Sequence, residues 1–516
     1  MPDCSRMQAI HLHPNDNICV AIQNLSGGTG IQVGDRTVEL GQPVRLGHKI
    51  AIEGIAKGAP VLKYGQTIGF ATEAISPGSW VHVHNLSIGA YEKDYAIASE
   101  IPPAPAPISD RTFQGYRRTN GTVGTRNYVG IISSVNCSAS VCKQIARRFT
   151  PDQLADYANV DGVVALAHHA GCGMQYGGQA HQMLNRVLGG MARHPNIGAY
   201  LLVGLGCEQG AIANLIQDQG LVQLSGPGSS SRGPIVLTMQ ELGGTAKTIE
   251  AGVQKIAEML PRVNDVKRVS VPASEIVLGT NCGGSDGNSG ITANPALGVA
   301  SDMIVACGGT SILTETPEIF GAEHLLTRRA RSREVAEKLI ERIRWWQWYA
   351  GLFGVELDNN PSVGNKEGGL TTIAEKSLGA VAKGGSTALM DVIQYAEPVR
   401  TRGLVVMDSP GYDPPSVTGL LAAGANVVVF TTGRGSCFAC KPVPTIKVAT
   451  NTAMYEHMID DMDVNAGGIL EGRSVEEVGR RIFEEILAVA SGNKTKSERL
   501  GLGDEEFMPW IVGPTL

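Results

Sequence analysis

Aromatic side chains are scarce in this chain, at 5% of residues, and cations do not outnumber anions: Lys and Arg total 43 against 49 Asp and Glu, for a net charge of -6. Without a basic field to neutralise phosphates, a nucleic acid is excluded as the expected partner. No run of about 18 uncharged apolar residues occurs, so no membrane-spanning helix is expected. The start, from Met1 to Arg6, lacks the charged-then-apolar build of a secretory signal, and a cytoplasmic protein is expected. Ten cysteines, scattered and without dense even spacing, argue for reduced thiols rather than a disulfide framework. What the chain has in excess is glycine, with 65 residues. Glycine turns with few aromatics suit tight strand-to-helix connections and favour α/β over all-helical architecture.

Length allows roughly three domains at about 150 residues each. Short apolar segments at 18–22, 49–52, 60–64 and 80–84, separated by Gly, Asn, Asp and Pro, predict strands of a small β module. Residues 101–108 are proline-rich and predict an extended spacer. Beyond it, apolar runs followed by polar loops and helical stretches predict βα units on a mainly parallel sheet. The expected strands are 128–134, 162–166, 199–204, 275–279, 303–306, 311–314, 403–407 and 425–430. Helices are expected at 331–348, 416–423 and 474–490, and a boundary between two α/β blocks near 261–272.

In such a sheet the loops leaving the carboxyl ends of the strands converge, so polar residues just after apolar runs can share a site. This test selects Cys137, His168, Cys172, Cys207, Glu208, the run Asn281 to Asp286, Glu315, Glu318, Asp408 and Thr431 to Gly435. Thiolates, imidazoles and carboxylates brought together suit iron or zinc, although free cysteine is also a common small core residue. Cys437 and Cys440 have a redox or zinc spacing but no partner pair. His82 and His84 fall on one side of a strand by alternation, as a two-histidine edge or as solvent-facing residues. Gly204-Leu205-Gly206-Cys207-Glu208-Gln209 lacks the third glycine of the dinucleotide fingerprint, and no Walker sequence is present, so a nucleotide cofactor is not expected. Arg434 between glycines and Lys366 in a glycine-rich loop suit a carboxylate ligand, or are solvated turn residues.

A set of motifs runs along the chain, beginning with His13-Pro14-Asn15-Asp16-Asn17, Gly47-His48-Lys49 and Lys63-Tyr64-Gly65 in the β module. Further on stand Gly115-Tyr116-Arg117-Arg118, Gly124-Thr125-Arg126-Asn127, residues 168–172, residues 204–208 and the long run 282–295. Thr314-Glu315, residues 360–366, Glu375-Lys376, residues 432–435 and residues 463–467 complete the set. By these motifs the chain resembles the altronate and galactarate dehydratases over nearly its whole length. Two departures stand out: Ser436-Cys437 where relatives often carry Thr-Pro, and Ala170 where an aromatic usually precedes Gly171.

The resemblance implies an α/β protein with an N-terminal β-clip (SAF) domain at 1–92 and a linker at 93–114. A middle α/β domain that dimerises follows at 115–266, then a C-terminal Rossmann-like parallel-sheet domain at 267–516. It implies a hydro-lyase that dehydrates a sugar acid to a 2-keto-3-deoxy acid, with altronate preferred over galactarate from the end of the β module. Fe2+ is the expected cofactor, with Mn2+ or another divalent metal, or an iron-sulfur cluster on the strand-end cysteines, as alternatives. The expected site has Cys282, Asp286 and Glu315 near the metal, and His48, His168, Glu315 and Lys366 in catalysis. His13, Lys49, Ser285, Asn294, Asn365, Thr432 and Arg434 are expected to hold substrate. A different class of reading is a non-catalytic sugar-acid binding or scaffold protein, since β-clip modules also occur there. The expected partners are a small sugar acid and a second copy of the chain.

Overall fold

Short two- to six-residue strands separated by turns close the N-terminal module. Ala9–Ile10, Ile18–Ala21, Lys49–Ala51 and Trp80–Val81 form one antiparallel sheet, and Pro60–Lys63, Gln66–Ala71 and Leu86–Ser87 a second, with the hairpin Gly30–Val33/Arg36–Glu39 beside them. This is a computed structural model, and it describes residues 7–89, 94–223 and 233–513. The expected strand at 80–84 ends at Val81. A turn follows, Asn85 N–H bonding to the His82 carbonyl, so alternation does not govern His82 and His84. His82 is buried and His84 exposed, both against Trp80.

The proline-rich segment runs without regular structure over the C-terminal domain, with the Ile108 amide bonded to the Ala306 carbonyl. The chain then enters Thr112–Arg117, which pairs with Val123–Gly124 and, across the junction of the two large domains, with Val269–Pro272.

The middle domain is a four-stranded parallel sheet of β1 (Tyr128–Ser133), β2 (Gly162–Leu166), β3 (Ile197–Gly204) and β4 (Ile235–Thr238), in the order β2-β1-β3-β4. The C-terminal domain carries seven parallel strands. They are β5 (Val277–Cys282), β6 (Thr310–Leu313), β7 (Leu389–Ile393), β8 (Gly403–Met407), β9 (Val427–Thr432), β10 (Thr445–Ala449) and β11 (Val464–Asn465), in the order β7-β8-β6-β5-β9-β10-β11. Buried on both faces, their near-continuous apolar sequences are those of a doubly covered parallel sheet. Residues 303–306, expected as a strand, are instead the last turn of the helix Ala293–Ala306. A four-residue apolar run fits a buried helix as well as a strand, and here the helix packs against Val475–Ala490 to cover one sheet face. The helices expected at 331–348, 416–423 and 474–490 are present as Arg333–Leu352, Asp413–Ala423 and Val475–Ala490.

The three parts share cores. Gln179–Ala192 of the middle domain packs on Asp413–Ala423, where a side chain on Gly190 would collide with the Ala422 carbonyl. Ile18, Val61 and Ile68 of the β module join one apolar cluster with Ile291, Ile319 and Leu378. Among the described residues no helix is long and apolar enough to cross a membrane.

Candidate active site

The strand order of the C-terminal sheet reverses between β5 and β9: the chain leaves β5 toward β6 and leaves β9 toward β10 on the opposite side. A crevice is expected beyond the carboxyl ends of such a pair. Here it is filled by the loop after Cys282 and the loop after Thr432, stitched together by the Gly433 and Arg434 amides on the Gly284 carbonyl.

At the base of this crevice Cys282, Glu315 and Glu318 bring one donor atom each to within 4.8 Å of one another, all buried; they are the only such group among the described residues. Glu315 follows β6 in the left-handed backbone region at φ 67°, a conformation unusual for a side-chain-bearing residue. It is held there by Ser409 Oγ, which accepts its amide at 2.9 Å, while its carboxylate accepts the Cys282 amide at 3.1 Å. Two buried lysines neutralise the pair from outside. Lys383 Nζ donates to Glu315 Oε2 at 2.6 Å and to Cys282 Sγ at 2.8 Å, and Lys376 Nζ to Glu318 Oε1 at 2.7 Å and Asn360 Oδ1 at 3.0 Å. Glu315 Oε1 and Glu318 Oε2 are left facing the thiol, at 4.0 and 3.4 Å.

Burial pushes Glu315 up to about 7 against the pull of Lys383, and burial with the charges of Glu315 and Glu318 pushes Asp413 up to about 8. Burial also raises the Cys282 thiol, whereas at Glu318 the two lysines overcome burial and hold the carboxyl low. Three carboxyls and a thiol thus face two ammonium groups, and burial together with this excess of acid raises Glu315, Asp413 and Cys282. A thiolate with two carboxylates could hold a divalent cation such as ferrous iron, and the buried Asn281 Oδ1, beside Asp413, has no partner.

Asp286 lines a small cavity with Cys282 but is not in the three-donor group. Its carboxylate accepts from Ser289 Oγ, the Asn288 amide and side chain, Thr450 Oγ and Asn451, which makes it the clamp of its loop. The same cavity, about 10 Å³ and therefore room for about one water, is lined by Ser285, Asn294, Lys376 and Tyr64 of the β module. Ser285 Oγ is buried there without a partner. Asn294 is engaged by the Gly379 carbonyl and by Thr431 Oγ, and Asn365 donates to the Ser285 carbonyl at 2.9 Å. Thr432 Oγ accepts the Gly435 amide.

The β module closes over the crevice. Lys49 and Lys63, both fully buried, converge on Glu375 at 2.8 Å, and Lys49 also donates to the Gly369 carbonyl. Despite burial, the two ammonium groups hold the Glu375 carboxyl far below its ordinary range. At the seam lies a second cleft of about 630 Å³, with Arg45, His48, Trp80 and His82 on one wall and Lys366 and Glu367 on the other. His48 Nδ1 accepts from the Trp80 indole at 3.0 Å, and burial lowers its pKa. Arg434 is exposed and pairs with Glu367 at 3.6 Å. The structure therefore gathers Cys282, Ser285, Asp286, Asn294 and Glu315 in the crevice, and His48 and Lys366 in the cleft. His13 stays on the β module, its Nδ1 accepting the Asn15 amide. His168 lies in the middle domain, its ring bonded to the Ser133 carbonyl and the Ala170 amide.

Lys383, Asp413 and Tyr64 were not singled out from the sequence. Lys383 and Asp413 carry no motif, and only the fold brings them beside strand ends. Tyr64 sits within a quoted motif, and its left-handed backbone at φ 60° is the signal that marks it.

Taken together, these features define a carboxylate- and thiol-lined α/β enzyme site roofed by a β-clip module. The N-terminal module matches the altronate/galactarate dehydratase SAF domain (residues 7–89), the middle domain the second domain of D-galactarate dehydratase/altronate hydrolase (115–264), and the rest the D-galactarate/altronate dehydratase C-terminal domain (273–515). The altronate dehydratase of Escherichia coli (strain K12) is 38% identical over 494 residues, 96% of this chain and 97% of that protein. That of Bacillus subtilis (strain 168) is 37% identical over 95% of this chain and 96% of its own. The galactarate dehydratase (L-threo-forming) of Escherichia coli (strain K12) is 38% identical over 96% of this chain and 95% of its own. The chain belongs to the altronate/galactarate dehydratase family, and is a hydro-lyase.

Proposed function

We propose that this protein removes water from altronate to give a 2-keto-3-deoxy sugar acid, with a ferrous ion held by Cys282, Glu315 and Glu318. The observation that carries the reading is this buried three-donor group at the strand-order reversal, in a chain matched end to end by two altronate dehydratases. The hydrogen on the carbon next to a carboxylate is weakly acidic, so the charge that develops on the carboxylate oxygens must be stabilised. A metal held by these residues would supply Lewis acidity toward that developing charge. The chain's own part is to keep Lys376 and Lys383 as fixed cations beside the reacting end and to exclude water beneath Tyr64. The cleft cations Arg45 and Lys366, with Arg434 paired to Glu367 at its wall, receive the substrate as it enters. His48, neutral through burial, is the candidate base once the Trp80 indole releases its Nδ1, since its Nε2–H is held on the Glu367 carbonyl, and Asp413, which keeps its proton, is the acid toward the departing hydroxyl. Loss of the C2 proton and the C3 hydroxyl leaves an enol that becomes the keto acid, so only water is released.

Galactarate is the second reading, favoured by the equal identity to the galactarate dehydratase. Offering anaerobic protein with ferrous iron altronate, galactarate, glucarate and mannonate in turn, with keto-deoxy acid as readout, separates the two. Glu315→Gln is expected to lower turnover at saturating iron by about 100-fold or more, the scale of losing a charge-stabilising group. Full turnover by that variant, or turnover unaffected by exhaustive chelation, rejects the placement. The proposal extends to a cytoplasmic homodimer joined through the middle domain, which light scattering tests.

A further inference from the structure

We propose that the middle domain binds an iron-sulfur cluster through Cys137, Cys172 and Cys207, at a site separate from the Cys282 group. The three cysteines are free, exposed, and follow the carboxyl ends of β1, β2 and β3, three adjacent strands in the order β2-β1-β3. Neighbouring strands lie about 4.8 Å apart, so the loops leaving them are side by side. They are also tied to one junction. The Asn136 amide bonds to the Ala170 carbonyl, which draws the Cys172 loop onto the residue before Cys137. Ser134 Oγ donates to Glu208 Oε1 at 2.8 Å, and the Gly206 amide donates to Glu208 Oε2, which draws in the Cys207 loop. Close approach is built in at Gly171, where the φ of 99° is left-handed and a Cβ would press on the Ser134 carbonyl and Val135.

A second observation points to a soft anionic ligand. His181 is 3% exposed, its Nδ1 accepts the Gly177 amide, and the proton this leaves on Nε2 finds no acceptor. That nitrogen faces Gly210 of the Cys207 loop. Gln240 already directs an N–H at Cys207 Sγ, at 3.4 Å. An N–H donor on a thiol, with a second unpaired one facing the same loop, suits sulfide and thiolate acceptors. The helix Asn136–Ala146 begins beside Cys137 with no side-chain cap and no acidic residue in its first turn, so its dipole and first amides face an anionic ligand there unopposed. A single ion is disfavoured: thiolates on one ion sit about 2.3 Å from it and so within about 4.6 Å of each other, whereas these three do not all lie within 4.8 Å. A cluster, in which each thiolate binds a different iron, spans the wider arrangement and leaves one iron without a protein thiolate.

The test is to purify the full-length protein anaerobically, reconstitute it with ferrous iron and sulfide, and count iron and acid-labile sulfide alongside the visible thiolate-to-iron absorption. Equal iron and sulfide with that absorption is expected for the unaltered chain and for Cys437→Ser. Loss is expected for Cys137→Ser, Cys172→Ser and Cys207→Ser, whose thermal midpoints without cluster should match that of the unaltered chain without cluster because these side chains are exposed. No bound sulfide in the unaltered chain, or sulfide retained by the triple variant, overturns the proposal. Glu315→Gln should keep the cluster while losing turnover, so failure here and failure of the proposed dehydration are distinguishable.

Discussion

A buried histidine whose two nitrogens are both bonded to backbone groups resists acid until the chain unfolds. His168 and His194 share this arrangement. In each, Nε2 meets a carbonyl, of Ser133 and Ala425, while Nδ1 accepts an amide two residues on, of Ala170 and Asn196. A second ring proton would point at that amide. Burial lowers both from 6.5 to about 4. Because the folded value lies below the unfolded one, the unfolded chain binds more protons between about pH 4 and 6.5. Stability is therefore full above pH 6.5 and is lost as pH falls through that window. Lowering the pH from 7.5 to 5.5 should cost about 1 kcal/mol for each histidine. In the double variant His168→Gln/His194→Gln, the acid-induced fall in the thermal midpoint should be shallower than in the unaltered chain, whatever the starting midpoint. Equal slopes would show that neither ring carries the proton linkage. His194 also joins the middle domain to the segment before β9, its Nε2–H donating to the Ala425 carbonyl, and His168, expected as a proton carrier, has both ring nitrogens engaged by backbone groups.

Gly287 and Gly369 are the backbone surfaces on which the β module rests. A Cβ at Gly287 would collide with the Gly47 carbonyl, and one at Gly369 with the same group, at a φ of 104°. Gly287→Ala should therefore lift the turn that carries His48 and Lys49 and expose the linker that follows. Limited proteolysis should then cut between residues 94 and 110 several times faster than in the unaltered chain, and an unchanged cleavage rate would show that the contact has no leverage. The elements that meet here were unequally legible. Parallel strands buried on both faces announce themselves as apolar runs closed by polar loops, so Cys282, Glu315 and Thr432 could be placed at strand ends directly. The run at 303–306 could not be typed, because helix and strand differ in period and four residues hold barely one turn. His82 and His84 were misplaced because a turn, fixed by Asn85 bonding back to His82 and Trp80, interrupts the alternation. Lys383 was invisible for another reason: its meaning comes from Cys282, 101 positions earlier, and no local pattern encodes that pairing.

At the scale of the whole molecule, the β module and the C-terminal domain form one electrostatic unit. Lys49, Lys63 and Glu375 are each fully buried, so separating the two parts leaves a carboxylate and two ammonium groups without partners. Removing one partner from such an arrangement costs about 3–5 kcal/mol. The crevice beneath Tyr64 is too small for a sugar acid, and the 630 Å³ cleft beside it is walled by both parts. On the proposed placement, substrate reaches Cys282 and Glu315 when the module shifts, and the site is sealed when it returns. Deleting every residue before Asp110 should abolish keto-deoxy acid formation while the two parallel sheets still unfold cooperatively. Because the deletion also uncovers Ile291, Ile319 and Leu378, a subtler variant separates closure from folding. Lys63→Met keeps most of the apolar stem and leaves Lys49 paired with Glu375, so the fold should survive while turnover falls at least about 10-fold, the effect of about 1.4 kcal/mol on a closing equilibrium. A truncated protein that turns over at the full-length rate, or a Lys63→Met protein of unchanged rate, would show that the module plays no part in sealing the site.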